Sequence, residues 1–441
     1  MTVERELINQ ISEILGFESR TLETDELKIY VRSFIEEKET FLRIQQTQGS
    51  PLYLFDRSTL LERARRFTKA FQEVFTDFCV YYAVKSNHHP AVVENLVEAG
   101  MGLDVSSGLE LDLALKCGCA EVIFSGPGKT EAELRQAVDH AGVVTVLLDS
   151  FAELDRLERI AREHRCRTRA GVRLTTDETG LWRKFGVPLS TLQLFLQQAQ
   201  TCSHVAVSGL QFHTSWNRDP SAQVAFIGRI GRTLRRLPRS LRSAVTFLDI
   251  GGGFWPSRGE WLQPAATPAG RLRRALSGEI RPSLDHYKLP AQTIDDFARQ
   301  IAAAMAEHIF PLISCQLRTE PGRWLSDDAM HLLLTVVDKK AEDLVITDAG
   351  TNTIGWERFE SDYAPVINLS RPSEAEHECW VLGSLCTPHD VWGYSYFGDG
   401  IDPGDVLLIP GQGAYTYSLR QRFIKPVARV VKIPQAKEPI R

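Results

Sequence analysis

No stretch of about 18 consecutive apolar residues occurs in this chain, so nothing in it reads as a membrane-spanning helix. The opening MTVERELINQISEILGF is charged from residue 4 onward and has no unbroken apolar core, so it does not read as a signal peptide, and a cytoplasmic protein is expected. A dominant charge is missing too. Lys and Arg number 51 against 56 Asp and Glu, a net charge of −5, which lacks the basic excess that a nucleic acid or an anionic membrane would need as partner. The eight cysteines are scattered. Only Cys117-Gly118-Cys119 brings two close, which is neither a CxxC nor a zinc-ribbon spacing, so free thiols are expected. No His-x-His pair ends an apolar run, and the adjacent His88 and His89 would point to opposite faces of an extended chain, which argues against a metal-dependent hydrolase and a metal site.

What is present is a long alternation. After the first fifty residues, which read as amphipathic helix, apolar β-rich runs alternate with stretches of helical length, as in parallel strands joined by crossover helices. Eight strands are expected, at 78–84, 101–105, 121–125, 143–149, 168–174, 205–213, 245–250 and 315–320. Thr59 and Glu62 read as a capping box, Leu60, Ala64, Phe67, Phe71 and Val74 as the stripe of the helix it opens, and Gly100 as the end of the next helix. An open doubly wound sheet would want a glycine fingerprint after its first strand, and VKSNHHP has none. The expected fold is therefore an α/β protein with a (β/α)8 barrel, whose chemistry sits at the C-terminal strand ends. Residues 255–290 break the alternation with Pro, Gly and Arg and read as an insertion or lid. From about 331 shorter strand-like runs with turn signals suggest a β-rich domain. The expected division is a helical extension over 1–50, a barrel over 51–330 and a C-terminal β domain over 331–441.

Several strand ends carry residues that a buried barrel strand has no structural use for. Lys85 ends YYAVKSN, where burying an unpaired ammonium is costly, and a desolvated, deprotonated lysine is what attack on a carbonyl requires. Gly251, Gly252 and Gly253 follow LDI, where backbone N–H groups can approach an anion closely. RTEPGRW presents an acid, Glu320, a rigid turn and Arg323 within four residues, able to pair with a heterocyclic nitrogen and clamp a phosphate. His213 ends GLQFH, where it can stack on a ring. Asp104 ends GLDV, and Glu110 opens the next helix, where the dipole favours a carboxylate in any case. Jointly these are the parts for holding pyridoxal 5′-phosphate.

YYAVKSN, GLDVSSGLEL, GLQFHTSW, LDIGGGF, TEPGRWL, GSLCTPHD and GQGAYT together resemble the motifs of the fold-type III pyridoxal-phosphate decarboxylases, the group of the ornithine, arginine and diaminopimelate decarboxylases, and follow that family's order over residues 81–416. The resemblance implies a cofactor-binding barrel with a C-terminal β domain and a decarboxylation carried by Lys85 as Schiff-base lysine. It implies that His213 stacks on the pyridine ring, that Glu320 pairs with its nitrogen, and that Gly251, Gly252, Gly253, Arg323 and Tyr415 surround the phosphate, with Asp104 and Arg173 lining the cofactor. It also implies a head-to-tail homodimer in which Cys386 reaches into the partner's site as general acid, a role that an ordinary thiol pKa of about 8.5 suits.

The departures concern the substrate. Thr387, followed by Pro388, stands where diamino-acid decarboxylases of the family carry an acid for the distal amine, and Ala349 replaces the aspartate of the ornithine-type enzymes. Trp356 lies near the place of the arginine that diaminopimelate decarboxylases use for the distal carboxylate, with Arg358 close by. Trp216 puts an indole where a small residue is usual. Asp390 remains, and CTPxD is similar to family members of specialised pathways, so a substituted or carrier-linked amino acid, and with it a carrier-protein partner, joins the expectations. A racemase on the same barrel would use a tyrosine as second base and an arginine at the ring nitrogen. A non-catalytic regulatory relative would have lost Lys85 or Cys386, and both are present.

Overall fold

The computed structural model describes residues 2–16, 19–278 and 283–434, so part of the N-terminal extension, residues 279–282 of the insertion and the last seven residues lie outside the described residues. The chain divides into two compact units, residues 59–257 with 291–326, and residues 1–58 with 258–290 and 327–441.

The first unit is the expected barrel. Its strands are β1 (Phe78–Ala83), β2 (Gly102–Val105), β3 (Val122–Phe124), β4 (Val144–Leu148), β5 (Thr168–Arg173), β6 (Val205–Gln211), β7 (Phe247–Asp249) and β8 (Gln316–Thr319). They pair in parallel in chain order, and β8 closes on β1 through Leu317 opposite Phe78. Tyr81, Ile123, Leu147 and Phe247 form a buried cluster, and the Phe247 ring lies so close to β6 that a Cβ at Gly209 would sit 2.0 Å from it. The Arg318 guanidinium rests 3.9 Å from the same ring centroid. Around the strands, Phe67 packs edge-on against Phe254 and Trp324, burying the helical wall. The first of these helices, Arg57–Gln72, begins two residues before Thr59. Asp56 precedes it and accepts from Ser58 Oγ at 2.5 Å, so Thr59 and Glu62 are not its capping box. Gly100 does end a helix, with φ +85° after Pro90–Glu98.

The second unit is an eight-stranded mixed sheet, ordered Leu344–Thr347, Glu376–Leu382, Val391–Phe397, Ile367–Asn368, Val406–Ile409, Met330–Ala341, Leu52–Phe55, Arg429–Lys432. Five of these strands match the runs read from the sequence after residue 331, and PLYLFD supplies a sixth, paired antiparallel to Met330–Ala341. Val391–Phe397, buried at every position, went unread because its aromatics and Gly393 show no alternation of polar and apolar residues. Residues 1–50 do not stand apart as an extension. Helices Thr24–Glu36 and Lys38–Gln48 turn Leu27, Val31, Phe41 and Ile44 onto Leu52, Leu54, Leu333 and Leu408, because an amphipathic helix needs an apolar face to cover.

The insertion belongs to this unit as well. Glu260–Leu262 and Tyr287–Leu289 form an antiparallel pair flanking helix Pro268–Ser277. At its entry Arg258 bonds Tyr30 Oη at 2.7 Å, Asp328 at 2.8 Å and Asp327 at 3.0 Å, and this pairing of mostly buried charges holds the insertion, the first helices and the start of the long strand together. Arg258→Ala would remove the mostly buried guanidinium that neutralises Asp327 and Asp328. We expect a loss of about 3 kcal/mol in urea unfolding, and an unchanged midpoint would contradict the assignment.

Candidate active site

Lys85 is held by its own turn. β1 runs into the short helical turn Val84–Ser86, where Ser86 Oγ donates to the Ala83 carbonyl at 2.8 Å and lies 3.0 Å from Tyr82 Oη, whose hydroxyl donates to the Asn87 carbonyl. The amine of Lys85 then reaches the next strand and donates to Asp104 Oδ2 at 2.5 Å. Asp104 is fully buried, and its other oxygen accepts from Ser125 Oγ at 2.6 Å. Lys85 itself keeps 36% of its side-chain surface exposed, so its amine is anchored and still open to the barrel mouth.

The neighbouring strand ends, after β8 and at β7, carry an acidic pair. Glu320 is buried after β8, accepts from Gln211 Nε2 at 3.2 Å, and its backbone N–H donates to the Gly251 carbonyl at 2.8 Å. Burial, reinforced by the charges of Asp104 and Asp249, pushes the Glu320 carboxyl well above the usual range. Burial also pushes Asp249 up to about 6, even though its Oδ1 accepts the Gly251 N–H at 2.8 Å. Gln211 and Asp249 were missed by sequence reading. Each sits two residues before a residue that was found, His213 and Gly251, and in a strand that spacing puts both on one face, so an inward-facing polar residue there was the available signal.

His213 lies between these groups and the glycines. Its Nδ1 accepts the Gly252 N–H at 3.1 Å, which leaves Nε2 to carry the proton of the neutral ring. Burial first, then the charges of Lys85 and Arg173, hold its pKa well below normal. Gly251 and Gly253 have φ of +67° and +81°, and a Cβ at 251, 252 or 253 would meet the Phe212, Glu320 or Thr214 carbonyl oxygen at 2.5 Å or less. Only glycine fits there. Arg173 is buried beneath the Phe185 ring, its guanidinium 4.3 Å from the ring centroid and its Nε without a hydrogen-bond partner. Arg323 stands 4.5 Å from the ring centroid of Trp255, which stacks on Trp216 at 6.0 Å; Trp216 has φ +54° and is 56% exposed. Lys85, Asp104, Arg173, His213, Gly251, Gly252, Gly253, Glu320, Arg323 and Trp216 thus all belong to the barrel unit, at or just beyond its strand ends. Glu110 accepts the Ser106 N–H at 2.7 Å beside Asp104, and burial raises its pKa.

Cys386, Thr387, Asp390, Trp356 and Tyr415 lie in the sheet unit. Cys386 is an exposed thiol and Trp356 is 42% exposed, whereas Tyr415 holds a left-handed backbone at φ +56°. Asp390 is buried, with Oδ1 accepting the Thr351 N–H and Oδ2 the Leu385 N–H, both at 2.6 Å. Its carboxylate is spent on the backbone, so what it does is fix the loop that carries Cys386. The charges on that loop come from elsewhere. His389 Nδ1 lies 2.6 Å from Glu360 Oε1, and Arg274 of the insertion donates to Glu360 Oε2 at 2.5 Å. The Glu360 carboxylate raises the pKa of the exposed His389. A folded pKa above the unfolded one means that, while Glu360 is ionised, this contact contributes fully below the unfolded pKa of His389 and is lost as pH rises through the folded value. Glu360→Gln should therefore lower the His389 midpoint in an NMR titration, and an unmoved midpoint would show that the pair does not interact.

Comparison with known proteins places this arrangement. The family model described as "Pyridoxal-dependent decarboxylase, pyridoxal binding domain" matches residues 57–327, more than half of the chain. Among curated relatives, a diaminopimelate decarboxylase of Aquifex aeolicus is 26% identical over 412 residues, covering 88% of each chain. One of Methanothermobacter thermautotrophicus is 28% identical over 390 residues, 85% of this chain and 84% of the relative. In fold, the chain matches the crystal structure of diaminopimelate decarboxylase from Helicobacter pylori complexed with L-lysine (TM-score 0.72, 23% identity, 89% and 93% covered). It also matches the lysine/ornithine decarboxylase of Vibrio vulnificus complexed with putrescine (TM-score 0.71, 21% identity, 90% and 98% covered). The residues present fit the cofactor. Glu320, whose pKa burial raises well above the usual range, forms no ion pair among the described residues, Arg173 Nε and Asp249 Oδ2 are buried without hydrogen-bond partners, and three glycines admit no side chain at a strand end. The chain belongs to the pyridoxal-dependent decarboxylase family and is an amino-acid decarboxylase that uses pyridoxal 5′-phosphate.

Proposed function

We propose that Lys85 carries the cofactor, that Glu320 holds its ring nitrogen protonated, and that Cys386 of a partner subunit returns the proton to the product in a composite site of a head-to-tail dimer. The observation that carries this reading is that Lys85–Asp104 and Glu320–Gln211 come together on adjoining strand ends of one barrel mouth. When bound, pyridoxal 5′-phosphate supplies an aldehyde for the substrate amine and a ring that accepts the electron pair freed when the Cα–carboxylate bond breaks. Asp104 keeps the Lys85 amine oriented at the barrel mouth, where it is the nucleophile for an aldehyde. Glu320, raised in the bare site, ionises once a cationic N–H stands against it, and the charge-assisted bond then holds that proton in place. His213, kept neutral by burial beside two cations, packs on a ring without adding charge. The backbone N–H groups of Gly251, Gly252 and Gly253, with Arg323 and Tyr415, are the donors for the phosphate, and Arg173 lines the site. Cys386, exposed in the single chain, is free to enter a second subunit.

The substrate this reading supports is an amino acid with a second functional group. The relatives' name brings meso-diaminopimelate to mind, but Thr387, Ala349 and Trp356 offer neither the acid nor the arginine that free diamino acids of the family meet. A derivative blocked at its distal end, free or bound to a carrier protein, suits that loop better, with Trp216 as its wall.

Two measurements check these assignments. Purified enzyme should show a visible absorbance band that Lys85→Ala abolishes, and a band that survives would remove Lys85 from its role. Mixing equal amounts of Lys85→Ala and Cys386→Ala proteins should restore about a quarter of wild-type activity through heterodimers with one intact site, whereas no recovery would contradict a composite site. For the substrate, carbon dioxide release should be slower with L-ornithine and meso-diaminopimelate than with distally substituted analogues. Efficient turnover of either free diamino acid would overturn that part.

A further inference from the structure

We propose that the barrel wall carries a binding site for a polyphosphate group, separate from the decarboxylase site. A cavity of about 390 Å³ lies where helix Leu192–Thr201 and the turn before it meet helix Ser221–Arg236, with Arg229, Arg232 and Arg236 on one side and Ser190, Gln193 and Thr233 completing its polar lining. The three arginines follow one another at spacings of three and four, so their side chains share one helix face. Seven residues of helix separate the first from the last, a rise of about 10 Å. One phosphate or carboxylate cannot span that row of guanidinium forks, and a chain of phosphates can.

Charge balance sets this row apart. Residues 220–246 contain six arginines and no Asp or Glu, in a chain whose net charge is −5. Several arginines elsewhere on the barrel wall are paired, Arg135 and Arg159 with Glu131 and Glu163, Arg162 with Glu158 and Arg169 with Glu121, whereas the scattered, exposed Arg66, Arg156, Arg165 and Arg167 are not; what distinguishes this row is its clustering around a cavity with no acid in the segment. Among the described residues, none of the six arginines of 220–246 forms an ion pair. Asp177 lies within electrostatic reach of Arg229 without forming an ion pair with it, and its Oδ1 accepts the Thr179 N–H at 2.8 Å and hydroxyl at 2.6 Å. Arg229 is held in place by donating to the Thr176 carbonyl at 2.8 Å and by lying 4.9 Å from the Phe226 ring centroid, so part of the site is already ordered. A solvated basic face needs no concavity and no ordered member, and this one has both. Guanidinium forks bind the paired oxygens of phosphate or sulfate, and a chain of linked phosphates can engage all three forks where a single sulfate or halide cannot.

Isothermal titration of the cofactor-loaded enzyme, at constant ionic strength, with tripolyphosphate, ATP and sulfate tests the site. Tripolyphosphate should bind saturably, one per chain and about tenfold or more tighter than sulfate. Arg232→Gln/Arg236→Gln should weaken it by about tenfold or more, whereas Arg239→Gln/Arg242→Gln, which removes equal charge outside the cavity, should leave it within about threefold. Both pairs are on the surface, and an unchanged thermal midpoint and decarboxylase rate confirm that the variants are folded. ATP binding tighter than tripolyphosphate, and lost in the first variant, identifies a nucleotide as the source of the phosphates; equal affinity identifies the phosphate chain itself, and either supports the site. Absence of saturable binding, or equal loss in the two variants, would overturn it.

Discussion

A carboxylate buried among other carboxylates must either take up a proton or meet a cation, and the barrel is built around that constraint. Asp104 meets the Lys85 ammonium directly. Glu320 and Asp249 have no such partner, and both are pushed toward the neutral form. Removing a charge from water costs several kcal/mol, so the bare site is poised to favour a cationic ring nitrogen over any neutral occupant. The same constraint accounts for the neighbours: His213 stays neutral, and Gln211 can donate to Glu320 without adding charge.

The rest of the barrel serves to hold these groups still. Closing eight strands brings β8 beside β1, so that Glu320 and Lys85, more than two hundred residues apart in the chain, open at one mouth. The glycines after β7 let the backbone pass within contact of the Phe212, Glu320 and Thr214 carbonyls, and any side chain there would push the strand ends apart. In the sheet unit a buried carboxylate does different work. Asp390 gives both oxygens to backbone N–H groups and so shapes the loop bearing Cys386.

The eight barrel strands were legible because each is an apolar run bounded by helix of the right length, and Lys85, His213 and Glu320 because a polar residue at the end of such a run is conspicuous. Gln211 and Asp249 were hidden inside their runs, where one polar residue looks like noise until its face is known. Thr59 misled because Ser, Thr and Asp cluster before the helix and the pattern alone does not choose among them. The helices of the first fifty residues were visible, but the surface they cover is made by strands nearly three hundred residues later, and amphipathicity does not name its partner. Asp390 was read as a group for the substrate, since a sequence does not show that its two oxygens are already occupied.

The central claim is that Glu320 ionises against a protonated ring nitrogen of the cofactor. It can be measured directly by nitrogen NMR of the enzyme loaded with pyridoxal 5′-phosphate labelled with ¹⁵N in the ring. The account predicts a protonated ring nitrogen at neutral pH in the wild type and an unprotonated one in Glu320→Gln; an unprotonated nitrogen in the wild type would contradict it.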